Sequence, residues 1–300
     1  MRKILVTGHH GLIGRHLVPL LTNAGFEVVG LDVADRSGDI TRREDIQAAI
    51  SGVHGVIHLA AVSRVLWGER NPELCWKTNA VASHSILKEA SNCSSKPWVL
   101  VASSREVYGE PLELPVSEDA PVLPVNIYGR AKATMEKHTI DARSSGLNTA
   151  IVRLANVYGC IEDNEDRVLP AFCRNAAYGR PLRVDGFDHL FDFTHVDDTA
   201  SGIAKMVDVL EAKERNFPPV HLLPGIGTTL LEAANIAVDA AGSASSIHAA
   251  PSRTYDVARF IGNPVRAKSL LGWVAEITPT DGIHSLVKAF QTEAPLIEAV

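Results

Sequence analysis

The sequence predicts an α/β chain, a doubly wound parallel sheet with a smaller second domain, and three observations carry that prediction. Short apolar runs rich in β-branched residues, at 4–6, 27–31, 55–61 and 98–102, are too brief for helices and read as buried strands. Segments of helical spacing alternate with them, and strand, helix, strand, helix is the order of a parallel sheet covered on both faces. The first run ends in a glycine turn: Gly8, Gly11 and Gly14 recur at every third position ahead of Leu12, Ile13, Leu17, Leu20 and Leu21. Three hundred residues accommodate two unequal domains.

The first strand covers Ile4, Leu5 and Val6 and stops at Thr7; its helix stops at Asn23-Ala24-Gly25. A turn this tight needs free backbone torsions, and a pyrophosphate must approach backbone amides at the positive end of a helix. The spacing GxxGxxG is therefore a variant of the dinucleotide fingerprint. On its own it is a weak signal, since glycine turns also serve packing. The second strand, Glu27 to Asp32, strengthens it by ending in a carboxylate eighteen positions after Gly14, where an adenosine ribose sits. A carboxylate there accepts from both ribose hydroxyls and repels a 2′-phosphate, so the reading is NAD before NADP, with Arg36 close behind as the feature that favours NADP.

Next come Gly38-Asp39-Ile40 and an amphipathic stretch from Arg42 to Ile50. Asp39 and Ile40 either seat the adenine or form a plain turn and helix cap. The third strand runs through His58 to Leu59, Ala60 and Ala61, small residues that leave room for a ligand at a strand's C-terminal end. Positions 63–76, with Arg64, Trp67, Glu69 and Arg70, read as an irregular loop. A long helix is predicted from about Pro72 to Ser91, with Val81, Ile86, Leu87 and Ala90 facing the core. Asn79 within it is either a satisfied buried amide or a partner for backbone beside the cofactor.

The fourth strand, 98–102, leads into Ser103-Ser104-Arg105-Glu106. Residues 112–124 are loop, and Asn126 opens a helix that carries Tyr128 and Lys132. Four residues apart, those two side chains share one helix face. A tyrosine is a poor base unless a nearby ammonium favours its phenolate, and such an ammonium also suits a cofactor ribose. Ser104, at a strand end, offers a hydroxyl to a substrate oxygen in the same cleft. YxxxK alone is common; after a dinucleotide site and a strand-end serine it is a constellation. Farther on, an acidic loop spans 160–166, helices are predicted at 169–177, from His195 to Val209 and at 230–241, and strands at 179–186 and 220–223. His195, Asp197 and Asp198 are read as helix caps, and no metal site is predicted.

Composition narrows the function classes. With 29 basic against 35 acidic residues the net charge is −6, which gives no basic field for nucleic acid or an anionic membrane. The cysteines, Cys75, Cys93, Cys160 and Cys173, have neither zinc nor disulfide-framework spacing. No run approaches a membrane span, and a cytoplasmic protein is expected.

These pieces together resemble an extended short-chain dehydrogenase/reductase of the NAD-dependent epimerase/dehydratase type. They are Val-Thr-Gly-His-His-Gly-Leu-Ile-Gly at 6–14, Asp32, His-Leu-Ala-Ala at 58–61 and Ser-Ser-Arg-Glu-Val-Tyr-Gly at 103–109. Tyr-Gly-Arg-Ala-Lys at 128–132, Arg-Leu-Ala-Asn-Val-Tyr-Gly at 153–159, His-Val-Asp-Asp at 195–198 and Leu-Leu-Gly-Trp at 270–273 complete them. The resemblance implies a Rossmann domain at 1–160, joined again by 192–223, and a substrate domain at 161–191 and 224–300. It also implies tightly held NAD, contacted by Gly8, Gly11, Leu12, Ile13, Gly14, Asp32, Asp39, Ile40, Leu59, Ala60, Ala61, Asn79, Ser103, Tyr128 and Lys132, and a homodimer through a four-helix interface.

In the UDP-galactose 4-epimerase branch, the matching Ser104, Tyr128 and Lys132 draw a proton from the sugar 4-hydroxyl. Asn156, Arg183 and Arg253 then face a nucleotide sugar. The expected function is C4 epimerisation of such a sugar; the alternative is a dehydrogenase acting on a carbonyl compound without nucleotide. Two departures matter. The 4,6-dehydratases carry Thr-Asp-Glu where this chain has Ser104-Arg105-Glu106, which disfavours dehydration. The arginine usual before the Asp-Phe pair at 192–193 is Phe191, which leaves Arg253 and Arg183 as the expected anion partners.

Overall fold

The computed structural model describes residues 2–212, 215, 217–252 and 257–297. Its elements in chain order are β1 Lys3–Thr7, α1 Leu12–Asn23, β2 Glu27–Leu31, α2 Arg43–Ile50, β3 Gly55–His58, α3 Val65–Arg70, α4 Pro72–Trp76, α5 Ala82–Asn92, β4 Trp98–Ser104, α6 Ile127–Asp141, β5 Thr149–Leu154 and β6 Asn156–Tyr158. There follow α7 Val168–Ala177, β7 Leu182–Asp185, β8 Leu190–His195, α8 Val196–Glu211, β9 Val220–Leu222, β10 Gly227–Thr229, α9 Leu230–Ala241, β11 Ile247–Ala250, β12 Arg259–Phe260, α10 Val265–Leu271 and α11 Pro279–Ile297.

Six strands form a wholly parallel sheet in the order β2-β1-β3-β4-β5-β9. Strands buried on both faces cannot alternate in polarity, which is why they read as continuous apolar runs. One core, with Ile4, Leu17, Leu100 and Ile203, lies under α1 and α8; another, with Leu5, Ile46, Ile86 and Ile151, lies under α2, α5 and α6. The chain leaves β1 toward β2 on one side and returns through β3 on the other. The crevice above that reversal is where ligands bind in such sheets. After β5, β6 turns away to pair with β8, itself flanked by β10 and β12, while β7 pairs with β11. A separate core of Tyr158, Phe172, Phe193, Ala234 and Leu286 gathers around this second group. No described helix is long and apolar enough to cross a membrane.

Three expectations are corrected. Residues 65–76 hold two short helices, α3 and α4, whose six and five residues are too few to show a periodicity of their own. The helix expected from Pro72 to Ser91 is interrupted by a π turn at Lys77–Val81, which turns Val81 outward to 50% exposure while Asn79 is buried. The third strand stops at His58; Leu59, Ala60 and Ala61 lie beyond it as loop.

Candidate active site

The turn between β1 and α1 is a close fit. Gly8 has φ +73°, and a Cβ on it would stand 2.7 Å from the Ala60 amide nitrogen; on Gly14 it would lie 2.4 Å from the Gly8 carbonyl oxygen. Gly11 caps α1 with no side-chain bond, so the amides of the first turn remain available to an anion. Asp32 is held ready at the end of β2: its carboxylate accepts from the amides of Ala34 (2.9 Å) and His10 (3.0 Å). These residues open onto a cleft of about 690 Å³, which Leu12, Ile13, Asp39, Ile40, Leu59, Ala60, Ala61, Ser103, Tyr128 and Lys132 also line. Asp39 forms a turn, its carboxylate accepting from Thr41 N (2.8 Å), and the residue lines the cleft, while Arg42 stands at the N-cap of α2. The Ser103 hydroxyl is buried with no partner among the described residues. A cradle of backbone amides, an anchored carboxylate and a spare hydroxyl suit a dinucleotide.

Asn79 does not itself line the cleft. Its amide accepts from Val62 N (2.8 Å) and donates to Val62 O (2.9 Å), and Val62 lines the cleft, so Asn79 is a satisfied buried amide that also bonds backbone beside the cofactor cleft. It closes a buried chain that the sequence did not disclose. Thr7 Oγ1 bonds His58 Nδ1 (2.7 Å), His58 Nε2 bonds Ser83 Oγ (2.8 Å), and Ser83 donates to the Asn79 carbonyl. Burial, with Lys132 nearby, pushes the His58 imidazole down to about 3, so it is neutral.

The two histidines of the glycine turn also gained a role only in three dimensions. His9 and His10 both direct Nε2 at one Asp35 oxygen, at 3.1 and 3.2 Å. Of the two, His9 Nε2 makes a hydrogen bond to that oxygen, and His10 lies within ion-pair distance of it. His195, at the start of α8, accepts from Asp197 N, as a cap does.

Ser104, Tyr128 and Lys132 meet at the inner end of the cleft, all buried. Asn126 caps α6 by accepting from Gly129 N (2.8 Å), which sets the helix phase that turns both side chains inward. Glu106 fixes that cap in turn, accepting from Asn126 Nδ2 at 2.7 Å. The expected ammonium-assisted phenolate is not what burial produces. Desolvation raises the Tyr128 phenol to about 12, although the Ser104 hydroxyl beside it acts in the opposite direction. Desolvation also lowers Lys132 to about 8, and its Nζ donates to Ala102 O (2.7 Å), 6.0 Å from the tyrosine ring centre. Loss of water disfavours each charged form, and at that distance the ammonium does not reverse it.

Ser104 and Tyr128 also border a second chamber of about 610 Å³ between the two sheets. Asn156 and Arg183 line it as expected, but Arg183 is 74% exposed and pairs with Asp185 of its own strand (2.8 Å). Arg253 lies outside the described residues. Phe191 is covered by a cation, Arg105. The Arg105 guanidinium lies 4.6 Å from the Phe191 ring centre, and the residue is only 8% exposed.

Two joined chambers, one fitted to a dinucleotide and one open to a substrate, with serine, tyrosine and lysine at their junction, define a cofactor-dependent oxidoreductase-type enzyme. Residues 4–217 match the NAD dependent epimerase/dehydratase family, and the chain belongs to that family. It is an enzyme of this kind and its cofactor is NAD. It is 28% identical to a UDP-glucose 4-epimerase of Halalkalibacterium halodurans, over 90% of each chain. It is 27% identical to UDP-glucuronic acid decarboxylase 2 of Arabidopsis thaliana, over 96% of this chain and 68% of that one. A crystal structure of UDP-glucose 4-epimerase from Thermotoga maritima with UDP-glucose superposes with a TM-score of 0.88 at 26% identity, covering 97% and 99% of the two chains.

Proposed function

We propose that the chain is an NAD-dependent epimerase acting at C4 of a nucleotide sugar by transient oxidation and re-reduction. The observation that carries this reading is the junction itself: Ser104 and Tyr128 border both chambers, so one secondary alcohol can face the cofactor side while the rest of its molecule occupies the substrate side. In this reading Ser104 holds the C4 hydroxyl, and Tyr128, as the phenolate that the positive charge of a bound nicotinamide together with the Lys132 ammonium would favour against desolvation, takes its proton as C4 becomes a ketone. Tyr128 returns the proton when the ketone is reduced on its other face. Lys132, lowered to about 8 by burial and so still an ammonium at neutral pH, orients the cofactor ribose and lends its charge to Tyr128. NAD, when bound, supplies the hydride acceptor and donor. Gly8 to Gly14, Asp32, Asp39 and Ser103 hold it, and Asn156 contacts the substrate phosphates.

The parts divide accordingly, with 1–160 and 192–223 serving the cofactor and 161–191 and 224–300 the substrate. The molecule pairs through α5 and α6 as a homodimer, and free thiols at Cys75, Cys93, Cys160 and Cys173 agree with a reducing cytoplasm.

The test is interconversion of UDP-glucose and UDP-galactose by the NAD-loaded protein, followed by proton NMR, with dTDP- and GDP-sugars alongside. Turnover is expected to fall about 10² to 10⁴-fold in Tyr128→Phe with NAD binding retained. Failure of UDP, dTDP and GDP to bind at millimolar concentration overturns the reading, and net reduction of NAD by a free sugar supports the nucleotide-free dehydrogenase instead.

A further inference from the structure

The turn that cradles the cofactor carries two histidines whose side chains the proposed chemistry does not use. His9 and His10 sit between Gly8 and Gly11, and Asp35, twenty-six positions from His9, comes to meet them from the loop after β2. Their rings are tilted by 60° with centroids 4.4 Å apart, and both Nε2 atoms face the same Asp35 oxygen, Oδ2, at 3.1 and 3.2 Å. The His9 contact is aligned as a hydrogen bond and the His10 contact is not, so a shared proton accounts for one of the two approaches. All three residues are held by bonds that spare those atoms. Asp35 Oδ1 accepts from Ser37 N (3.0 Å) and Ser37 Oγ (2.7 Å), and these bonds keep the carboxylate ionised, lowered to about 2. His10 is fixed through its backbone, its amide donating to Asp32 (3.0 Å) and its carbonyl accepting from Arg15 Nε (2.8 Å). The His9 ring lies against β2 where only a glycine leaves room, since a Cβ on Gly30 would stand 2.3 Å from it. The His10 and Asp35 side chains are 42% and 31% exposed, so an ion reaches them from solvent.

From this geometry we infer that His9 Nε2, His10 Nε2 and Asp35 Oδ2 form a binding site for a divalent transition-metal ion of the zinc type. In a tetrahedral site with bonds of about 2.0–2.1 Å, neighbouring ligand atoms stand about 3.3–3.4 Å apart, and the two N···O separations of 3.1 and 3.2 Å are close to that edge. Two neutral imidazoles and a carboxylate are a set that zinc accepts, whereas calcium and magnesium take oxygen ligands. The ion replaces the proton between His9 and Asp35, and water takes the fourth position. The Ser37 bonds supply the outer-shell support that a ligating carboxylate needs. The consequence lies at the cofactor. His10 belongs to the glycine turn and its amide already holds Asp32, while Asp35 belongs to the loop whose Asp32, Ala34 and Asp39 line the same cleft. One ion bonded to both clips the two walls of the adenosine end together, so zinc and NAD strengthen each other's binding.

The experiment is titration of the NAD-loaded protein, first stripped of metal by a chelator, with zinc against a competing chelating dye and with cobalt(II), whose visible absorption is strong only in a tetrahedral field. The wild type should take up one ion at this site with a tetrahedral cobalt spectrum, and should release NAD about fivefold or more slowly when zinc is present. His10→Gln and Asp35→Asn each remove one ligand from an accessible side chain. Each should weaken zinc about a hundredfold or more, beyond what loss of an outer-shell partner costs, and NAD release from either variant should no longer respond to zinc. The response is taken as a ratio within each protein, so any change that a substitution itself makes to the cofactor turn divides out. A wild type that binds zinc no more tightly than the two variants overturns the inference, as does a wild type without a tetrahedral cobalt spectrum, which needs no variant to be read. Zinc bound at the site with no effect on NAD release overturns the clip between the two walls.

Discussion

Lys132 carries the sharpest consequence of burial for a single residue. Its ammonium is lowered from 10.5 to about 8, chiefly by desolvation, so between those values the unfolded chain binds more protons than the folded one. Its contribution to stability is therefore present above 10.5 and lost as pH falls through about 8. Lys132→Met removes the titration. The thermal midpoint of the variant minus that of the wild type should be larger near pH 8 than near 10.5, read by circular dichroism. A difference that stays flat over this window would mean that Lys132 is solvated. Tyr128 responds to the same desolvation in the opposite direction, as acids and bases must.

Among the elements, the π turn at Lys77–Val81 does the most with the least sequence. The extra residue in the turn brings Asn79 against Val62, and two hydrogen bonds then tie the loop after β3 to the helix behind it. That loop includes Ala60 and Ala61 of the cofactor cleft. Asn79→Ala removes both hydrogen bonds to the partly buried Val62 backbone, at a cost of about 1 kcal/mol in stability. It should also weaken NAD binding, because Ala60 packs against Gly8. Denaturant unfolding and NAD titration of the variant check the two parts; unchanged values for both would show that Val62 finds other partners.

For the molecule as a whole, α5 and α6 cover one face of the parallel sheet, yet apolar side chains stay outside there, Val81 of the π turn before α5 50% exposed and Ile140 of α6 47% exposed. Those side chains support a second copy as the occupant of that face. Light scattering behind gel filtration should give twice the mass of the 300-residue chain. Replacing Val81 and Ile140 together by glutamate should give the single mass; a wild type that already elutes as one chain rejects the dimer. Inside the molecule, a buried ion pair binds helix to sheet. Arg153 of β5 grips Glu136 of α6 at 2.7 and 2.9 Å and donates to Tyr108, which meets His221 of β9. Breaking such a pair exposes an uncompensated charge to the core, which ties the cofactor side of the molecule to one helix position.

Features set by near neighbours along the chain are legible from its residues alone. Apolar runs bounded by turn residues identify β1, β2, β3 and β4, the glycine spacing identifies the cofactor turn, and the i, i+4 relation aligns Tyr128 with Lys132. The tertiary structure alone decided what depends on distant partners and on the exclusion of water. Desolvation pushes the Tyr128 phenol up to about 12, Val62 claims Asn79, and α3 and α4 persist as helices because they pack on α6. Arg105 reads as a surface cation from its neighbours, but Phe191, some eighty-six positions away, gives it a buried face to rest on. Local periodicity records none of these, because each is set by which elements the fold brings together and how little water it leaves between them.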